Sequence, residues 1–547
     1  MTSFDDVLIE TAQGWQWQLP SHFNIADACI RQHVQAGHGD RTALIVEDDK
    51  LGCQQLSYQQ LDHDSAKLAS VLASLNIEPG DRVLIRLPNA TDYPVSFFGC
   101  LKHGAIAVPT STLLSANEVA YLAQDSGAKV LITSKHMWPE LKTIAEQDNQ
   151  LTSVLLAGTG DMPQSNSRLP LFDLNALLSQ ASARDDIINS RIDDAAYLVY
   201  TSGTTGYPKG VLHAHRSLLG RLPASRYWFD FKHGDRIMHS GKFNWTYVLG
   251  SALMDPLFHG HTVIVHEGDN DASTWPKLIK KHDCTIFIGV PTIYRQIIQK
   301  TTYSKADVPS LRHCMSAGEH LSDEMLSAWR QRFGMDVFEA IGMSECSYYI
   351  SQNKHQAIRP GAAGFVQPGH QVTLLNEQNQ PAQIGEEAMI AIKQTDPGLF
   401  MQYWQLPEAT NKAFHDGYFY TGDYARLDED GYIWFVGRKD DIINTFGYRV
   451  SPHEIERIIK THPDVADCVA LGQNIGNDKT LVCACVILRE GAKVSEQQLL
   501  SFADANLAKY KAPKIIHFYQ DFPRTKNGKV LRKQMLAELH NAKRAAV

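Results

Sequence analysis

Apolar positions along the first third of the chain follow two rhythms. From Tyr58 to Leu75 they recur at helical spacing, whereas Arg82 to Leu87 and Lys129 to Ser134 (KVLITS) are short apolar runs. Runs of the second kind, covered on both faces, predict parallel strands alternating with helices from about residue 22 to 190. The same alternation continues through AAYLVYTSG from Ala195, HTVIVHE, CTIFIGV and LRHCMSAG to about residue 355. After Pro360 the pattern breaks into short segments rich in Gly and Pro (RPGAAGFVQPGHQVTLLNE, GEEAMIAIK), which predicts a small, mainly antiparallel β unit. Beyond Gly437 a mixed α+β pattern returns. It predicts a helix from Pro452, a strand at LVCACVIL, a helix from Glu496 to Ala508 and a last helix after Lys529.

The length of 547 residues calls for several lobes, and a net charge of −8 points away from nucleic acid. The nine cysteines are scattered without a C-x-x-C pair, so neither a zinc site nor a disulfide framework is expected. The first twenty residues do not read as a secretion signal, and no apolar stretch reaches the roughly 18 residues of a membrane span. A reducing, cytoplasmic setting is the expectation; whether the chain works alone or as a homodimer is open.

Candidate chemistry concentrates in Thr201-Ser202-Gly203-Thr204-Thr205-Gly206-Tyr207-Pro208-Lys209-Gly210, placed directly after an apolar strand. Its glycines let the backbone approach closely, its hydroxyls and amides can hold phosphate oxygens, and Lys209 supplies a cation. The loop differs from a Walker loop, because Lys209 follows Gly206 by three residues and no hydroxyl residue follows it. Glu345 beside Ser344 is a carboxylate suited to Mg2+ next to a hydroxyl suited to phosphate. Asp423 sits in a Thr-Gly-Asp turn, and Lys529 lies among Arg524, Lys526, Arg532 and Lys533.

Tyr200 to Val211 (YTSGTTGYPKGV) resembles the signature loop of the adenylate-forming superfamily. Four further blocks follow in that family's order: Gly342 to Glu345 (GMSE), Tyr420 to Asp423 (YTGD), Gly437 to Asp441 (GRKDD) through Gly447 to Val450 (GYRV), and Pro523 to Lys529 (PRTKNGK). The resemblance covers about residues 25 to 535. It implies an α/β multidomain fold with an N-terminal ATP- and acid-binding domain (1–437), built of two α/β sheets and a small β unit. A hinge (438–441) and a small mobile α+β C-terminal domain (442–547) complete it. The implied reaction activates a carboxylic acid with ATP as an acyl-adenylate, releases pyrophosphate, and passes the acyl group to coenzyme A. ATP, Mg2+ and CoA are the implied cofactors. Thr201, Ser202, Gly203, Thr204, Thr205, Gly206 and Lys209 would hold the phosphates and Glu345 the metal. Gly318, Glu319, Ile341 and Gly342 would line adenine, and Asp423 with Arg438 would grip the ribose. Lys529 would stabilise charge as pyrophosphate leaves. Asp440 would be the pivot, and Gly447, Tyr448 and Arg449 would line the CoA channel.

The resemblance places the acid among Asn244, Trp245, Tyr247, Ala317, Gly342 and Met343, although Trp245 and Tyr247 serve equally well as core aromatics. No carboxylate lies between Lys242 and Tyr247 to hold an amino group, so an amino-acid substrate is not expected. Acetate-specific relatives carry Trp at the position of Gly342, so a deeper cavity is expected here. Ile341 and the run FEAIGMSE resemble the benzoate-CoA ligase and medium-chain branch, which implies an aromatic or short-to-medium-chain acid. Three rivals remain: an adenylating enzyme serving a carrier protein, a luciferase-like oxidase, and an inactive binding protein.

Overall fold

The computed structural model describes every residue except 1–3, 13, 147–148, 164–167, 202–207, 319–320, 439–440, 442, 446–447, 477–478, 508, 510, 525–529 and 545–547. The run from Tyr58 is a helix, Tyr58–Ser74, opened by a capping box in which Ser57 Oγ accepts from the Gln60 amide. The runs after it are the strands Arg82–Arg86 and Val130–Ser134, the latter buried throughout. They join an eight-stranded sheet in the order 402–403, 209–214, 195–201, 106–109, 82–86, 130–134, 153–157, 171–173. Its six strands from 195–201 to 171–173 run parallel, as the covered apolar runs require.

A second, nine-stranded sheet has the order 365–366, 346–351, 337–343, 313–317, 286–289, 236–239, 262–267, 42–48, 52–57. Thr42–Asp48 and Gly52–Ser57 form a hairpin that precedes every strand of the first sheet in the chain yet pairs with Thr262–Glu267 of the second. The small β unit is antiparallel, built of 372–375, 388–393, 418–427, 414–415 and 433–438. Its expected start needs moving. Phe365–Val366, inside the segment assigned to it, pairs instead with Ile350 and Ser351 and extends the second sheet. The reason is continuity, because Ile341 already pairs with Ile350 in an antiparallel edge that one more short strand prolongs.

Beyond Arg438 the chain builds separate apolar cores. One gathers Ile443, Val450, Ile455, Ile459 and Val482 under Pro452–Lys460 and Glu496–Asn506. The other lies where the opposite face of Lys479–Leu488, with Cys483 and Cys485, meets Met535 and Leu539 of Arg532–Arg544. The helix expected to run to Ala508 ends at Asn506.

Candidate active site

The strand Ala195–Thr201 delivers the candidate phosphate loop, and the chain returns as Lys209–Ala214 in antiparallel register, Thr201 opposite Lys209. Residues 202–207 lie outside the described residues, so of the residues expected to hold phosphate, Thr201 and Lys209 are the ones whose positions can be stated. Tyr200 Oη donates to Asp125 Oδ2 at 2.6 Å, anchoring the outgoing strand to the helix Ala116–Ser126. Lys209 Nζ stands 5.4 Å from the centre of the Tyr403 ring, within reach of a cation–π attraction.

Ser344 and Glu345 form the turn between Val337–Met343 and Cys346–Ser351. Three contacts tie that turn to the first sheet and to the segment leading into its edge strand. The Ser344 carbonyl lies 2.8 Å from His213 Nε2, which must therefore carry the proton, and His213 stacks on Tyr197 at 4.7 Å. Burial lowers the His213 pKa to about 3, so this imidazole is neutral and stays a fixed donor. The Glu345 carbonyl accepts from the Phe400 amide at 2.8 Å, and Glu345 Oε1 accepts from Tyr403 Oη at 2.8 Å. The Glu345 residue is 7% exposed. Burial raises its pKa, the Tyr403 hydrogen bond and nearby Arg438 pull it down, and Asp423 pushes it up.

Asp423 and Arg438 face each other as register partners in the small β unit, with Arg438 Nε 3.3 Å from Asp423 Oδ1. The turn before Asp423 is held by Thr421 Oγ1, which donates to the Ile390 carbonyl and accepts from the Asp423 amide. Asp423 is buried while half of the Arg438 side chain reaches solvent, so the pair presents a fixed carboxylate and a movable cation.

The candidate acid wall gathers at the ends of the central strands of the second sheet. Gly318, at φ +97°, follows His313–Ala317, and a Cβ there would lie 4.0 Å from the Trp245 ring. Trp245 meets Tyr247 edge to face at 5.5 Å, and Tyr247 meets Tyr348 at 6.2 Å. Ala317 is buried in the cluster against which Tyr247 packs, while Ile341, Met343 and Trp245 border the main core. Asn244 is half-buried beside them. Behind Tyr348 lies a buried ion pair, Arg221 Nη2 to Asp255 Oδ2 at 2.7 Å, whose guanidinium also sits 5.3 Å from the Tyr348 ring centre.

Gly342 is exposed at the surface, but the space a side chain would take is occupied. A Cβ on Gly342 would not enter open space: it would lie 2.5 Å from the Tyr348 amide nitrogen. The strand register shifts between Ile341 and Met343, and the bulge brings two backbones too close for any side chain. A side chain at Gly342 would require the 347–348 backbone to shift.

The structure thus brings Thr201, Lys209, Ser344, Glu345, Asp423 and Arg438 to connected edges of the two large sheets and the β unit. Lys529, Glu319, Asp440, Gly447 and the loop residues Ser202, Gly203, Thr204, Thr205 and Gly206 lie outside the described residues. Tyr448 and Arg449 belong to a two-stranded ribbon, Ile443–Thr445 with Tyr448–Val450, with Asn444 opposite Arg449. Two contributors went unrecognised in the sequence, His213 and Tyr403. His213 sits in the run after Lys209, where it reads as strand filler. Tyr403 is 58 positions from Glu345, and its only local cue is the start of a helix at Pro407.

A family profile described as AMP-binding enzyme matches residues 31–404, and one described as AMP-binding enzyme C-terminal domain matches 454–529. The 3-hydroxybenzoate–CoA/4-hydroxybenzoate–CoA ligase of Thauera aromatica is 32% identical over 94% of this chain and 97% of its own. The mitochondrial acyl-coenzyme A synthetase ACSM3 of Homo sapiens is 29% identical over 96% of this chain and 91% of its own. Among solved structures, the anthranilate CoA ligase AuaEII in complex with anthranoyl-AMP superposes with a TM-score of 0.87 at 27% identity, covering 97% of this chain and 99% of that one.

Proposed function

The chain belongs to the AMP-binding enzyme family and is an AMP-forming acyl-CoA synthetase, and from that premise we propose how its residues divide the work. The acid is aromatic or of short-to-medium chain; the hydroxybenzoate ligase and the anthranilate ligase among its relatives support the aromatic part. The observation that carries the assignment is the meeting of the hairpin cation Lys209 with the buried carboxylate Glu345 across Tyr403. A cation and an anion held against the same tyrosine, one over its ring and one on its hydroxyl, suit a ligand that carries both signs, a polyphosphate with its metal.

Lys209 and the loop from Thr201 would draw ATP phosphates, and Asp423 with Arg438 would hold the ribose hydroxyls. Glu345 fits Mg2+ on the chemistry of the donor set: it is a hard oxygen donor, buried, with one carboxylate oxygen held by Tyr403 Oη. When bound, the metal would supply charge neutralisation for the phosphate oxygens. The acid needs no general base, since its carboxylate is already ionised. Its oxygen attacks the α-phosphorus, the bond to pyrophosphate breaks, and Lys529 would meet the charge that develops. The acyl chain would lie against Trp245, Tyr247 and Ala317. In the second half-reaction the thiol of CoA would approach past Gly447, Tyr448 and Arg449 after the domain turns about Asp440.

No helix among the described residues is long and apolar enough to cross a membrane. We place the enzyme in the cytoplasm, where ATP and CoA are supplied. The assay that tests the whole reading is pyrophosphate release over a panel of aromatic and straight-chain acids, each with and without CoA. One turnover without CoA and many with it are expected. Multiple turnovers only with a holo-carrier protein would replace CoA as acceptor.

A further inference from the structure

The segment Phe400 to Trp404 is fastened alternately to two parts of the site. The Phe400 amide donates to the Glu345 carbonyl, while the Met401 and Trp404 amides donate to the Leu212 and Gly210 carbonyls of the phosphate hairpin. Tyr403 sits between these fastenings as the register partner of Val211. Its amide donates to Thr410 Oγ1 at 3.0 Å, and its ring lies 4.8 Å from that of Phe400. The side chain is thus fixed by the backbone on one side and by an aromatic neighbour on the other. From that position its hydroxyl donates to Glu345 Oε1 at 2.8 Å and its ring faces Lys209 Nζ at 5.4 Å. A buried carboxylate with one oxygen tied to a fixed donor has its other oxygen oriented, which is the arrangement that outer partners give to metal ligands.

We propose that Tyr403 is a positioning residue of the adenylation step: its hydroxyl sets the Glu345 carboxylate for the metal, and its ring seats Lys209 for the phosphates. This rests on the reading of Glu345 as the metal ligand. The two duties use different parts of one side chain, so they separate by substitution. Tyr403→Phe removes the hydroxyl and keeps the ring, whereas Tyr403→Leu removes both.

The probe is Mn2+, followed by electron paramagnetic resonance on the full chain with ATP present and acid withheld, beside ATP binding measured by calorimetry in EDTA. Tyr403→Phe should raise the half-saturating Mn2+ concentration roughly 10–100-fold, the loss expected when an outer partner of a metal ligand is removed, with metal-free ATP binding unchanged. Tyr403→Leu should weaken both. Should the Phe variant fold poorly, 4-aminophenylalanine at position 403 decides, because it keeps the ring and places an N–H donor at the same reach; retained Mn2+ affinity supports the proposal and its loss overturns it. Glu345→Gln is the reference. If Glu345→Gln weakens Mn2+ binding and Tyr403→Phe does not, Tyr403 has no positioning role. If Glu345→Gln itself leaves Mn2+ binding intact, the metal assignment falls and the proposal with it.

Discussion

Adding one carbon at Gly342 tests how this enzyme shapes its acid site. In Gly342→Ala the new Cβ would stand 2.5 Å from the Tyr348 amide nitrogen and 3.3 Å from the Ser347 carbonyl carbon. Ordinary contact begins at 3.4 Å, so the 347–348 backbone must retreat by about 0.9 Å. That backbone is poorly placed to yield. Tyr348 already holds the left-handed φ of +49°, and its ring lies against the guanidinium of the buried Arg221–Asp255 pair. Overpacking of this kind costs about 1–3 kcal/mol. Gly342→Trp adds an indole to the same clash and should cost at least as much. Urea unfolding should show both variants with lowered midpoints, and pyrophosphate release should fall for short and aromatic acids together. If Gly342→Trp unfolds at the unmodified midpoint while acetate gains on aromatic acids, the side chain enters a cavity and the backbone argument is wrong.

Asp423→Asn should raise the KM for ATP about 10–100-fold, the worth of losing charge-assisted hydrogen bonds, and leave the KM for the acid unchanged. Lys529→Ala should slow adenylation roughly 10²–10³-fold yet spare thioester formation from supplied acyl-adenylate; equal damage to both halves would make the residue structural. His213, His215, His239 and His259 are each held neutral by burial, with pKa values of about 3 against an ordinary 6.5. Below pH 6.5 the unfolded chain takes up protons that the folded one refuses. Stability should therefore be full above pH 6.5 and decline as pH falls toward 3, by up to about 1.4 kcal/mol per pH unit for each histidine, read by denaturant titrations at stepped pH.

Much of the fold was legible because burial writes itself into local patterns. Arg82 to Leu87 and Lys129 to Ser134 are apolar because helices cover both faces, and any reader of periodicity meets them. The membership of Thr42–Asp48 was not legible, since a strand's partner is chosen by tertiary packing rather than by its own residues. The site divides in the same way. Lys209, Glu345 and Asp423 stand in compact blocks whose chemistry is local. Tyr403 and His213 act through contacts that exist only after the hairpin, the Glu345 turn and the 400–404 segment have been laid side by side. At Gly342 a missing side chain suggests space in the sequence, and the structure has backbone where its Cβ would lie.

The antiparallel return at the phosphate loop has an electrostatic consequence. Many phosphate sites place a helix immediately after the glycine-rich turn, whose aligned peptide dipoles contribute about half a positive charge that needs no counter-ion and no side chain. Here the loop leads into the strand Lys209–Ala214, and strands carry almost no net dipole. On the proposed reading, more of the positive potential that meets a polyphosphate would then come from discrete charges, the ammonium of Lys209 and a cation on Glu345, beside the amides of the loop. Such charges are screened by added salt and are lost when the cation is chelated, whereas a helix dipole backed by buried amides persists. Nucleotide affinity in this enzyme should accordingly track ionic strength and divalent cation concentration more steeply than in a protein that binds phosphate at a helix end.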